Sequence, residues 1–121
     1  MVFTKKLCYT DSKGTFEPIN KEDIPMQLTV RQPSASEDAK HYTTERLRGE
    51  YLIETVFAPD DAILTYSHFD RIIAGGVMPV SKSVELVGCK ELASDTFLQR
   101  REMGVINIGG KGKIAVDGVE Y

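Results

Sequence analysis

From Ala62 onward, short apolar runs alternate with polar residues, and most of the chain's elements follow from that alternation. Ile63-Leu64-Thr65-Tyr66 form one run, Arg71 to Val77 a second, and Val84, Leu86 and Val87 a third. Period-two patterning between turn residues marks half-buried strands. Gly75-Gly76 inside the second run predict a bulge or a close backbone approach, and Pro79 ends that run or places it on a sheet edge. Cys89 to Thr96 fits a helical turn at Glu91-Leu92-Ala93 as well as a strand. The alternation resumes from Arg100, with Gly109, Gly110 and Gly112 gathered before a β-prone run, Lys113 to Val116. Asp117-Gly118 then predicts a type I′ hairpin turn, which needs positive φ at both central residues. The returning arm is only Val119-Glu120-Tyr121, so this hairpin is expected to be unfinished.

Upstream the texture differs. Met1 to Pro25 mix charges with Gly14, Pro18 and Pro25 and show no sustained periodicity. Such a stretch has little apolar surface to offset the entropy of ordering it. The expectation is a mobile N-terminal extension over 1–25 and a domain over 26–121. Gln27 to Arg31 read as a short strand before Pro33, and Ser34 to Lys40 as a loop. Thr43 is a candidate N-cap for a helix from Thr44 to Ile53, with Leu47 and Tyr51 on one face. Gly49 weakens that helix by ~1 kcal/mol relative to alanine. Val56 and Phe57 lead into the core, and Pro59-Asp60-Asp61 marks a turn. Several short strands with one early helix predict a mainly β fold, a sandwich or barrel.

Composition narrows the class. A chain of 121 residues, 41% hydrophobic and 27% charged, is one globular domain or part of one, not a collagen-like, coiled-coil or disordered chain. A net charge of -3 gives no general pull towards nucleic acid or an anionic membrane. The longest nearly apolar run, Ile72 to Val80, falls short of the ~20 residues that cross a bilayer. No basic segment followed by an apolar one opens the chain, so a cytoplasmic location is expected. Cys8 and Cys89 make neither a zinc spacing nor a disulfide framework.

Candidate chemistry is sparse. Gly109-Gly110-Lys111-Gly112-Lys113 lacks the Ser or Thr and the helix that a phosphate loop needs, and reads as a strand-to-strand corner. Of the two histidines, His41 sits at the polar approach to the helix and is expected to be solvated. His68 lies in Tyr66-Ser67-His68-Phe69-Asp70-Arg71, between two runs, and His68 with Asp70 is the best acid-base pair available. The plainer account is a turn in which Asp70 and Ser67 cap backbone amides. Arg100 and Arg101, adjacent on a strand, would point to opposite faces, so at most one could bind an acidic ligand. A salt-bridged strand end is the plainer account there.

The residues Tyr66-Ser67-His68-Phe69-Asp70-Arg71-Ile72-Ile73-Ala74-Gly75-Gly76 and Arg100-Arg101-Glu102-Met103-Gly104-Val105-Ile106-Asn107-Ile108-Gly109-Gly110 carry a family resemblance. Ile114 to Gly118 and Leu47-Arg48 to Phe57 agree with it. From Met26 to Tyr121 the chain resembles the N-terminal part of 5-keto-4-deoxyuronate isomerase, also called 4-deoxy-L-threo-5-hexosulose-uronate ketol-isomerase. The resemblance implies a cupin-like (RmlC-like) β-sandwich or jelly-roll half, incomplete at its C-terminus, with Met26 a candidate start. It also implies an enzyme of pectin breakdown that isomerises a uronate-derived sugar acid, works as a hexamer, and holds one zinc through three histidines and a glutamate in its second half. Glu102 and Gly109 keep the spacing of a cupin metal motif, but Thr96, Phe97 and Leu98 stand where its His-x-His should be. Two histidines cannot supply three ligands, so no zinc and no other cofactor is expected in this chain.

The expectation is therefore an N-terminal portion of a zinc-dependent ketol-isomerase, inactive alone, with His68, Asp70, Arg100 and Arg101 as candidate site residues and no metal ligand. The competing readings are a non-catalytic half-cupin that associates through an open strand edge, and a small-molecule binder using Arg100 or Arg101 with His68.

Overall fold

The computed structural model describes the backbone of residues 7–10 and all of residues 26–121. In chain order it contains β1 (Leu7–Thr10), β2 (Met26–Arg31), α1 (Ser36–Ala39), α2 (Thr44–Tyr51), β3 (Ala62–Ser67), β4 (Ile72–Val77), β5 (Val84–Leu86), a 3-10 turn (Lys90–Leu92), β6 (Lys113–Val116) and β7 (Val119–Glu120). The chain is thus mainly strands. They form a three-stranded sheet, β2-β3-β4, and a four-stranded sheet, β5-β1-β6-β7. Within the stretch whose pattern predicted no element, Leu7–Thr10 form β1, between β5 and β6. The rest of the expected extension, 1–6 and 11–25, lies outside the described residues.

β3 is the hub of the smaller sheet. It runs parallel to β2, from Met26 opposite Ala62 to Arg31 opposite Ser67, and antiparallel to β4. Because side chains alternate, Ala62, Leu64 and Tyr66 turn to one face, joined there by Met26, Leu28, Val30, Ile73 and Val77. Val84 and Leu86 of β5 meet this face with Leu92 and Phe97, and Ile114 and Val116 pack against the same cluster. The two sheets therefore share one core. Val84, 1% exposed, lies deepest among the larger side chains.

The expected strands at β2 to β5 are present within a residue or so of their predicted bounds. Gly75 and Gly76 form no bulge, since the β3–β4 register runs unbroken through them. The close approach is real. A Cβ at Gly75 would lie 2.0 Å from the Ile63 carbonyl oxygen, and one at Gly76 2.3 Å from the Phe57 ring. Lys90–Leu92 resolves the open choice in favour of a helical turn, and Ser36–Ala39 places one where a loop was expected.

α2 starts as predicted, with the Thr43 hydroxyl accepting from the Arg46 amide at 3.3 Å. It stops at Tyr51, before Ile53, and none of its residues is buried. Leu47 and Tyr51 share the predicted face, yet both remain exposed. The hairpin forms as read: Asp117 and Gly118 take φ of 51° and 82°. Ile114 and Tyr121 exchange both backbone hydrogen bonds, at 3.0 and 2.7 Å, so the short arm pairs to its last residue.

The clearest departure is 101–112, where alternation predicted a strand and the chain is irregular. A strand needs a partner's backbone. β6, the next element, already has β1 on one side and β7 on the other. No helix among the described residues is long and apolar enough to cross a membrane.

Candidate functional site

The polar groups worth weighing lie where β2 and β3 end. The Tyr66 and His68 rings, two residues apart, meet with centroids 4.5 Å apart. The His68 amide donates to the Arg31 carbonyl at 2.9 Å, which carries the β2–β3 pairing one step past the strands and holds His68 in place. The Arg101 guanidinium lies over the Tyr66 ring, 5.2 Å from its centroid. Tyr66 is buried, whereas His68 and Arg101 are half-buried. Imidazole, phenol and guanidinium thus gather at one edge of the core.

The sequence-predicted residues divide around this cluster. His68 and Arg101 belong to it through Tyr66. Arg100 is exposed and closes a run of turns, so the strand premise that set the two arginines on opposite faces does not hold. Arg101 is the half-buried one because it follows Phe97 and Leu98 out of the core. Asp70 is exposed, and its side chain has no hydrogen bond or ion pair with any described residue. The Ser67 hydroxyl caps the turn by accepting from the Phe69 amide at 3.3 Å. No hydrogen bond or ion pair joins the His68 and Asp70 side chains.

Tyr66 was missed because its place in an apolar run made it read as core alone. Arg31 was missed too. Its guanidinium donates to the Leu52 and Glu50 carbonyls, at 2.6 and 3.3 Å, capping the end of α2. It lines a cleft of about 360 Å³ between α2 and the outer face of the smaller sheet, with Thr29, Arg48, Glu54 and Thr65. Arg48 there is ion-paired with Glu54. Both cations of this cleft already have protein partners.

The most perturbed carboxylate is structural. Asp60 takes the Ser81 hydroxyl on one oxygen at 2.5 Å. On the other it takes the Val80 and Ser81 amides, both at 2.7 Å, and the Lys82 amide at 3.2 Å. These bonds favour the ionised form and hold the carboxyl well below the usual aspartate range, the Ser81 hydroxyl contributing most. Asp60 therefore clamps the 59–61 turn to the segment after β4. Burial pushes the Cys89 thiol up, so it is not a poised nucleophile.

Among the described residues, no three histidine, cysteine, aspartate or glutamate side chains come together as metal donors. His41 is exposed near α2, lining a shallow hollow with Asp38, Tyr42 and Arg46, while His68 sits at the end of β3. These donors do not fit a zinc held by three histidines and a glutamate.

No protein-family model matches the chain. Curated relatives do. It is 50% identical over 94 residues to the 4-deoxy-L-threo-5-hexosulose-uronate ketol-isomerase of Lachnoclostridium phytofermentans, covering 78% of this chain and 34% of that protein. The enzyme of the same name from Lachnospira eligens is 51% identical over 94 residues, with the same coverage. That of Yersinia pestis is 55% identical over 97 residues, again 78% of this chain and 34% of the relative. The chain spans about a third of the length of the curated relatives it matches. At 50 to 55% identity over 78% of its residues, it is a homologue of about a third of the length of the 4-deoxy-L-threo-5-hexosulose-uronate ketol-isomerases.

Proposed function

We propose that this chain is the N-terminal, structural portion of a zinc-dependent ketol-isomerase that converts 5-dehydro-4-deoxy-D-glucuronate to 3-deoxy-D-glycero-2,5-hexodiulosonate in pectin breakdown, and that it does not turn over substrate alone. One observation carries the second half of this reading: two separated histidines, in a chain matching 34% of its relatives' length, cannot make the three-histidine centre implied by the family. A ketol isomerisation moves a proton between adjacent carbons through an enediol, which needs an acid-base group and an electrophile at the substrate oxygens. We assign no acid-base pair to these residues, since no hydrogen bond or ion pair joins the His68 and Asp70 side chains. The role left to them is to fold: two sheets over a common core, consistent with a cupin-like half, in a cytoplasmic hexamer.

The test is an isomerase assay on the purified chain with zinc supplied. No turnover is expected, and clear turnover would overturn the proposal. A second reading, a non-catalytic association module, is favoured by the outer edge of β7, which no described strand pairs with, and by Tyr121, 77% exposed beside it. Size-exclusion chromatography separates the two. A discrete soluble dimer favours the module, and aggregation favours a portion of a larger fold.

A further inference from the structure

Between β2 and β3 the chain leaves the core. No residue from 32 to 57 is buried, and α2 lies in the middle of this stretch. A helix of eight residues is marginal on its own, so α2 depends on whatever ties it to the sheets. The ties are few. The Arg31 guanidinium, at the end of β2, donates to the Glu50 and Leu52 carbonyls, which the helix leaves unpaired. Among the described residues, the other hydrogen bonds and ion pairs of 32–57 join two residues of that same stretch: Thr43 with Arg46, Arg46 with Glu50, Arg48 with Glu54, and Lys40 with Glu37. Such contacts travel with α2 and do not hold it down. The Tyr51 ring meets Phe69 at 5.5 Å between centroids, and both rings stay exposed. Past the helix, Phe57 lies against Gly76, where the chain rejoins the sheet.

Beneath this span is the cleft of about 360 Å³, with Thr29, Ile63 and Thr65 of the sheet among its lining. We propose that α2 and the residues after it, 44–55, form a lid over the outer face of the smaller sheet, latched by Arg31, which opens as a unit while both sheets stay folded. Opening breaks the two Arg31 hydrogen bonds and the Tyr51–Phe69 contact, and it bares Thr65, which is 6% exposed when the lid is closed. The core survives because the lid contributes no buried side chain to it. The latch stays with the sheet, since the Arg31 carbonyl takes the His68 amide at 2.9 Å. Segments with few buried apolar contacts open at a lower free energy than the whole fold.

The experiment is native-state hydrogen exchange on the whole chain, read amide by amide by NMR over a range of low urea concentrations. Once freed, α2 is too short to keep its helix, so its amides report the opening. In the parent, the Leu47 and Leu52 amides should exchange at least tenfold faster than those of Leu64 and Tyr66, after correction for intrinsic rates. Their dependence on urea should also be weaker, because lid opening exposes less surface than unfolding. Arg31→Met keeps an apolar stem without donors and should speed α2 exchange at least tenfold. Arg48→Gln, which removes a charge whose partner Glu54 moves with the lid, should change it less than twofold. Val116→Ala weakens the core in the larger sheet, which is intact in the open form. It should speed exchange at Leu64 and Tyr66 severalfold and leave α2 unchanged. The proposal is overturned if α2 and β3 exchange together in the parent, if Arg31→Met leaves α2 unchanged, or if Val116→Ala speeds both regions alike. Should Arg31→Met fail to fold, Arg31→Lys, which keeps the charge but not the planar fork, takes its place, and the parent and Val116→Ala comparisons stand without either.

Discussion

β3 with β4 and the stretch 101–112 start from similar ingredients and end differently. Each is rich in β-prone apolar residues, and each contains a Gly-Gly pair. Leu64 in β3 is 6% exposed, whereas Ile106 in the later stretch is 87% exposed. At Gly76 an added Cβ would lie 2.5 Å from the Val56 carbonyl oxygen besides striking Phe57, while at Gly110 it would meet nothing within 4 Å. Alternation states which side chains could share a face. It does not supply the backbone that turns the segment into a strand, and β3 has β2 and β4 on its two sides while 101–112 has neither.

Truncating the apolar residue of each region tests this contrast at its widest. Leu64→Ala should cost about 2–5 kcal/mol, since the shared core closes only partly around the lost side chain. Ile106→Ala should stay within about 0.5 kcal/mol. Urea unfolding of both variants reads the difference, and equal losses would break the comparison. The glycines sharpen it on a smaller scale. Gly76→Ala is expected to cost about 1–3 kcal/mol, because the Phe57 ring can swing aside but the Val56 backbone cannot. Gly110→Ala should be nearly neutral in the same melts.

The hairpin bounds the contrast from the other end, as a place near 101–112 where local chemistry does decide structure. Gly118→Ala forces a Cβ onto a backbone at φ 82° and should cost about 1 kcal/mol, although nothing lies near enough to clash. A thermal melt as stable as the parent's would mean that the turn is not held in this form. The mildest test at neutral pH lies beside β4. The folded Asp60 carboxyl titrates below its unfolded value, so its contribution is present above the ordinary aspartate range and is lost as pH falls through the folded value. Melting temperatures measured from about pH 5 downward should therefore fall less steeply for Asp60→Asn than for the parent chain. Parallel curves would show that the clamp does not respond to acid.

Much of the local order was legible because it is set within a few residues. Thr43 caps α2 with its own hydroxyl, and Asp117-Gly118 reach positive φ at little steric cost. The runs at β3, β4 and β5 carry enough apolar side chains to declare a buried face. The candidate site was legible only in pieces. His68 and Arg101 could be named as polar residues near core runs, but Tyr66, which brings them together, looked like any aromatic in a strand.

The sequence alone determined that the chain is mainly β, where its turns fall, that it lacks the histidines for a three-histidine metal centre, and which family it resembles. Those are local or inventory properties, and no folding is needed to read them. Only the tertiary structure decided that Leu7–Thr10 enters a sheet, that 101–112 does not, that α2 leaves Leu47 and Tyr51 exposed, and that Arg101 rather than Arg100 lies on Tyr66. Each depends on a partner distant in sequence: β5 and β6 for β1, the occupied flanks of β6 for 101–112, and the end of β3 for Arg101. Hydrogen bonds between strands and contacts across a core are made by residues far apart in the chain, and a pattern read along the chain cannot say which of them will meet.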